Sequence, residues 1–213
     1  MKSLTSYFRY FIFDQSFNQK FLSPRTKQQF EEIRENKRAL IMRCALELFA
    51  NRGYYSTSIK EIANKARISK GLLYNYFQSK EELLQEIIIQ GLETMGNLID
   101  PDHDGIITTG ELKFMIDEIF HILTDHKIFL MLYFSILTQH DVMSIAGKEI
   151  ESFFDKMIRM LEAYFRVRGS SDPRADAHLF GAILDGVFFN YILNDRNYPI
   201  EQVKKRIVEL FIK

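Results

Sequence analysis

Between residues 59 and 84 the chain reads IKEIANKARISKGLLYNYFQSKEELL, three helix starts in close succession. Ser58 and Glu61 have the spacing of a capping box, in which each side chain satisfies the other's backbone N–H. Ile59, Ile62, Ala63 and Ala66 follow as one apolar stripe at helical spacing. Ala66-Arg67-Ile68 is a short connection, and Ser69 is an N-cap for a second helix over Lys70–Tyr76. Gln78-Ser79 interrupts that helix, and Ser79 with Glu82 opens a third. Few arrangements suit helices this short except one laid across another and held by it.

The second helix is unusual for a core element. Leu73 and Phe77 can face inward, but Lys70, Gly71, Tyr74, Asn75 and Tyr76 cannot all do so. Glycine inside a helix costs about 1 kcal/mol against alanine, so its presence points to something large approaching the backbone. A short helix offering Lys, Gly, Asn and Tyr has the make-up of one that enters a DNA major groove. Asn pairs bidentately with adenine, and Lys reaches guanine or phosphate. Lys80 falls in the first turn of the third helix, where the macrodipole disfavours a cation. The expectation is a phosphate at that helix end, paired with Lys80.

Thr57-Ser58-x-x-x-Ile62-Ala63-x-x-Ala66-x-Ile68-Ser69-x-Gly71-x-Leu73-Tyr74-x-Tyr76-Phe77-x-Ser79-Lys80-x-x-Leu83 closely resembles the helix-turn-helix signature of the tetracycline-repressor (TetR) family of bacterial regulators. The likeness covers roughly residues 25–90. It implies a DNA-contacting set of Thr57, Ser58, Arg67, Ser69, Lys70, Gly71, Leu72, Tyr74, Asn75, Tyr76 and Lys80. It also implies a homodimer on a double-stranded palindromic operator, controlled by a small-molecule effector. Arg67 departs from the pattern, because the family usually has glycine in that turn. A positive φ strains any other residue, so the turn differs or Arg67 adds a phosphate contact.

Net charge is zero, yet the charges are not evenly spread. Residues 22–80 hold 12 Lys/Arg against 5 Asp/Glu, and residues 81–213 hold 13 against 22. A basic first third on an acidic body is the footprint of a DNA-binding head. The single cysteine, Cys44, lies on a helical apolar stripe and excludes a disulfide framework, which fits a cytoplasmic protein. The longest apolar run, Ile128 to Leu137, is too short to span a bilayer, so no membrane role is expected.

The expected fold is all-α. Residues 1–24 form an aromatic-rich extension, 25–80 a three-helix DNA-binding head, and 81–213 a larger helical effector-binding and dimerisation bundle. Phe30 opens the stripe of the first helix, and Asn51-Arg52-Gly53 closes it. The helix from Lys80 links head and body. Residues 127–138 are apolar all round and are expected to be buried. Ala175–Leu193 and Ile200–Ile212 are the expected dimer helices. Phe120, His121, Met131, Tyr133, Phe134, Met157 and Phe188 are candidate effector-pocket residues, though such aromatic and Met residues are more often core than pocket and His121 also suits a core or surface site.

Residues 100–111, DPDHDGIITTGE, resemble an EF-hand calcium loop. Asp100, Asp102, Asp104, Ile106 (through its carbonyl), Thr108 and Glu111 occupy the ligand positions, and Gly105 allows the sharp turn. The same residues also suit a solvated acidic turn. Two function classes follow: a ligand-responsive DNA-binding repressor requiring no cofactor, and a calcium-sensing protein-interaction adaptor. No nucleophile–base pairing or paired acid motif points to an enzyme.

Overall fold

The computed structural model describes residues 27–212, and every regular element among them is an α-helix. The aromatic extension and the start of the basic arm lie outside the described residues. In chain order the helices are α1 (Lys27–Arg52), α2 (Ile59–Lys65), α3 (Lys70–Tyr74), α4 (Lys80–Ile99), α5 (Thr109–Asp125), α6 (Lys127–Leu137), α7 (His140–Val167), α8 (Pro173–Leu193) and α9 (Ile200–Phe211).

These helices fall into two compact units that do not divide at residue 80. The first takes the chain through Thr94 together with Leu132–Gly147; the second takes Met95–Met131 with Lys148–Lys213. The displacement has a packing cause. Leu83, Leu84, Ile87 and Ile88 on α4 are fully buried, as are Ile41, Met42, Ala45, Leu46 and Phe49 on α1. Tyr133, Ile136, Val142 and Ala146 are buried in the same unit. Polar contacts fix the returning segment. Gln139 donates to the Phe49 carbonyl (3.1 Å) and accepts the Tyr54 N–H (3.3 Å). The Tyr133 hydroxyl donates to the Ile88 carbonyl at 2.9 Å.

Two core expectations are corrected here. Phe30 is exposed, so the buried part of α1 begins later. α6 is not enclosed on all sides: Tyr133 and Ile136 are buried, but Ile128 is 75% exposed and Met131 is also exposed. An apolar composition all round shows that a helix can be buried on every face, not that the chain has enough neighbours to do so.

The second unit is built on aromatic packing and a few ion pairs. Phe165, Phe180 and Phe211 stack edge to face, with ring centroids 5.0–6.3 Å apart. Asp117 on α5 pairs with Lys204 on α9 at 2.8 Å and with Lys113 at 2.7 Å. α7 ends in a Schellman motif: Gly169 has φ +81°, and the Ser170 N–H reaches back to the Phe165 carbonyl. Asp172 then caps α8 through the Ala175 N–H, with Pro173 in the first turn.

Gly91 is fixed by packing. A Cβ there would lie 2.2 Å from the Tyr133 ring, whereas one at Gly96 on the same helix would meet Phe153 at an ordinary 3.6 Å. Gly91→Ala must displace a buried ring and its hydrogen bond. It is expected to cost about 1–3 kcal/mol net, despite the better helix propensity of alanine. Gly96→Ala is expected to be neutral or stabilising by up to about 1 kcal/mol. Urea unfolding of both variants checks this; equal behaviour would contradict it.

Candidate nucleic-acid interface

The interface starts from two caps that hold the α2–α3 pair. At the start of α2 the Ser58 hydroxyl accepts the Glu61 N–H (3.2 Å), and Glu61 accepts the Ser58 N–H (2.8 Å). The Ser58 N–H and hydroxyl hold the Glu61 carboxyl below its ordinary value, with Arg52 adding an ion pair at 3.1 Å. At the start of α3 the Ser69 hydroxyl accepts the Leu72 N–H at 3.1 Å.

The turn between the helices is a Schellman motif with arginine in the glycine place. The Ile68 N–H reaches the Ala63 carbonyl (3.0 Å) and the Arg67 N–H reaches Asn64 (3.1 Å). Arg67 has φ +54°, so the left-handed turn is kept and Arg67 carries the strain. Its side chain is exposed.

α3 is shorter than the sequence suggests and ends at Tyr74, with Asn75 as its C-cap. Leu73 and Phe77 are buried. Lys70, Gly71, Leu72, Tyr74 and Asn75 are exposed, and Tyr76 is half-buried. The Lys70 ammonium lies 5.7 Å from the Tyr74 ring centroid. A Cβ on Gly71 would meet nothing within 4 Å, so the chain's own packing does not require glycine there.

Two of the expected contact residues also have partners inside the head. Thr57 is buried, and its hydroxyl donates to the carbonyls of Gly53 (3.0 Å) and Leu48 (3.3 Å), so its side chain is a brace behind the interface. Lys80 is braced within the head. Its Nζ donates to the carbonyls of Tyr54 (2.9 Å) and Thr57 (3.0 Å) and lies 4.2 Å from the Tyr54 ring centroid. Desolvation lowers its pKa from the ordinary value. Two of the three ammonium donors are thus committed inside the head. Tyr55 lies beside this brace: it is exposed, with Lys80 5.9 Å from its ring.

The expected pocket residues fall in both units. Tyr133 and Phe134 belong to the first unit and the other five to the second. His121 is exposed and 3.5 Å from Asp125, and Met131 is exposed. Phe120 and Tyr133 are buried, while Phe134, Met157 and Phe188 are half-buried. In the acidic loop Asp100, Asp102 and Asp104 converge, Ile106 is exposed, and Thr108 and Glu111 form a capping box for α5.

Lys80→Ala would leave two carbonyls without their charged donor. A loss of about 1–3 kcal/mol in folding stability is expected. Lys70→Ala, at an exposed site, is expected to stay within about 0.5 kcal/mol of the wild type. Denaturant melts followed by circular dichroism check the pair, and equal losses would contradict the bracing role.

Residues 41–87 match the model of the bacterial regulatory proteins, tetR family. The chain is 52% identical over 54 residues to the uncharacterized HTH-type transcriptional regulator YuxN of Bacillus subtilis, covering 25% of this chain and 19% of that protein. It is 33% identical over 134 residues to YerO of the same organism, covering 61% and 44%. The matched stretches thus span less than half the length of these two relatives. YvkB of Bacillus subtilis is 25% identical over 197 residues, covering 84% of this chain and 95% of that one. Among solved structures, NalD, the secondary repressor of the MexAB-OprM multidrug efflux pump in Pseudomonas aeruginosa, superimposes with a TM-score of 0.60 at 23% identity, over 83% of this chain and 95% of that chain. The fatty acid degradation regulator FadR from Bacillus halodurans gives 0.59 at 22% identity, over 83% and 94%. The last two likenesses concern the fold. With the helix-turn-helix geometry of residues 59–77 and the match over residues 41–87, this part of the chain is similar to the bacterial regulatory proteins of the tetR family.

Proposed function

We propose that this chain is a cytoplasmic, DNA-binding transcriptional regulator that reads a palindromic operator as a homodimer and answers to a small-molecule effector. The observation that carries the DNA reading is the outward face of α3. Lys70, Gly71, Leu72, Tyr74 and Asn75 are all exposed on a helix anchored by Leu73 and Phe77. Lys70 and Arg67 make no ion pair among the described residues, so their charge is available to phosphate or guanine. Asn75 supplies the bidentate amide that adenine recognition uses. Repression is the sense of action supported by NalD, which is named as a repressor.

A dimer is supported by α8, which is apolar on two faces. Ala177, Phe180 and Val187 are buried within the chain's own fold. Leu179, Ala182, Gly186, Phe189 and Leu193 follow at alternating spacings of three and four, a continuous seam. Leu179 is 53% exposed, Phe189 62% and Leu193 69%. Leu210 on α9 is also exposed. An apolar stripe of this kind marks a protein–protein surface, and a two-fold interface matches a palindromic site. Val187 lies on the inward face, so charging it would test folding rather than dimerisation.

Operator selected from random duplexes allows the base-reading role to be measured. By fluorescence anisotropy, Asn75→Ala is expected to lose about 1–3 kcal/mol on the selected site and much less on random duplex. Gly71→Ala is expected to fold as well as the wild type or better, yet bind the operator more weakly, because its Cβ would fill space that DNA needs. Equal losses on both duplexes for Asn75→Ala would remove it from the reading set.

The double variant Phe189→Asp, Leu193→Asp is expected to be monomeric by light scattering at micromolar concentration, with helical content retained. A wild type that is already monomeric, or a variant that remains dimeric, would contradict the α8 seam.

A further inference from the structure

The loop between α4 and α5 gathers negative charge that the DNA-binding function does not use. Asp100, Asp102 and Asp104 each place a carboxylate oxygen within 4.8 Å of the others. Oxygens bound to one Ca²⁺ at about 2.3–2.6 Å stand at most about 4.6–5.2 Å apart, so the three can share a single ion. Mg²⁺ requires a tighter and more regular shell, with about 4.0–4.2 Å across it.

An acidic cluster alone is commonplace on a surface. Asp100 is different: it is 4% exposed, and its Oδ1 is buried with no hydrogen-bond partner. Its Oδ2 accepts the Gly105 N–H at 3.2 Å, so the carboxylate is turned across the loop toward its companions. A buried carboxylate oxygen left unpaired costs free energy that a bound cation would recover. None of the three carboxylates makes an ion pair among the described residues. Backbone N–H groups hold the other two in place: Asp102 accepts from Asp104 (3.3 Å) and Asp104 from Ile106 (2.7 Å).

We infer that the loop Asp100–Gly105 is a divalent-cation site selective for Ca²⁺, with Asp100, Asp102 and Asp104 as its carboxylate ligands. Glu111 is not among them. Its Oε2 accepts the Thr108 N–H at 2.8 Å, and this capping box holds it at the start of α5. Solvent completes the shell. A site with three carboxylates and open to water binds weakly, with Kd roughly 10⁻⁴–10⁻³ M. Occupancy would fix the junction where α4 ends and α5 begins.

The test is isothermal titration calorimetry of the full chain with CaCl₂ at constant ionic strength, repeated with MgCl₂. One Ca²⁺ per chain is expected, with Mg²⁺ about tenfold or more weaker. Asp102 and Asp104 are exposed, so Asp102→Asn and Asp104→Asn fold normally and are each expected to weaken Ca²⁺ binding about tenfold or more. Asp100→Asn, checked by circular dichroism, is expected to abolish binding. Absence of saturable heat up to about 10 mM Ca²⁺, or unchanged binding in both exposed variants, would overturn the inference. So would equal affinity for the two ions. DNA binding is not involved in any arm, so failure here leaves the proposed regulator intact.

Discussion

The presentation of α3 depends on one ammonium group. Lys80 stands in the first turn of α4, where the macrodipole opposes a cation. The cost is offset by the carbonyls of Tyr54 and Thr57 and by the Tyr54 ring. Those partners belong to the link between α1 and α2. Lys80 therefore ties the entry of the helix-turn-helix to its exit, and α3 is held between two fixed ends. Thr57 reinforces the same link from behind, because its buried hydroxyl bonds to Gly53 and Leu48. Gln139 does so from a distant part of the sequence, through the backbone of Phe49 and Tyr54.

Within that frame, a five-residue helix has little stability of its own. Its Ser69 cap, the buried Leu73 and Phe77, and the left-handed turn at Arg67 set its orientation. The same turn appears at the end of α7, where glycine takes it without strain at Gly169. That contrast is the physical basis for reading Arg67 functionally. The strain is retained in exchange for an exposed guanidinium at the edge of the α3 face.

The local features of the head were legible in the sequence because they are fixed by residues three or four apart. The Ser58–Glu61 box, the Ser69 cap and the inward pair Leu73 and Phe77 are of this kind. The third start was legible in part: the Ser79 hydroxyl caps the Glu82 N–H, while the Glu82 carboxylate accepts from Gln78 rather than Ser79. What stayed hidden depends on contacts across long separations. Periodicity says nothing of Gln139 reaching Phe49, or of Tyr133 filling the place of a Cβ at Gly91. It also cannot say which of two apolar faces of α8 the chain uses itself. The acidic loop held a conflict the sequence did contain. Thr108 and Glu111 have capping-box spacing, which competes with the use of Glu111 as a calcium ligand, and the structure shows the cap formed. The likeness to bacterial regulatory proteins lies in residues 41–87, outside this loop.

The central claim is that the outward face of α3 reads base edges in successive major grooves, one head from each of two chains. Hydroxyl-radical footprinting on a duplex selected from a random pool tests it most directly. The expected result is a two-fold symmetric pattern, with two protected half-sites on one face of the helix about 10 base pairs, or a multiple of that, apart. In the same experiment Asn75→Ala should lose protection at its adenine contacts while Lys70→Ala weakens both half-sites. Uniform protection without sequence selection, or an unchanged pattern with Asn75→Ala, would contradict the account.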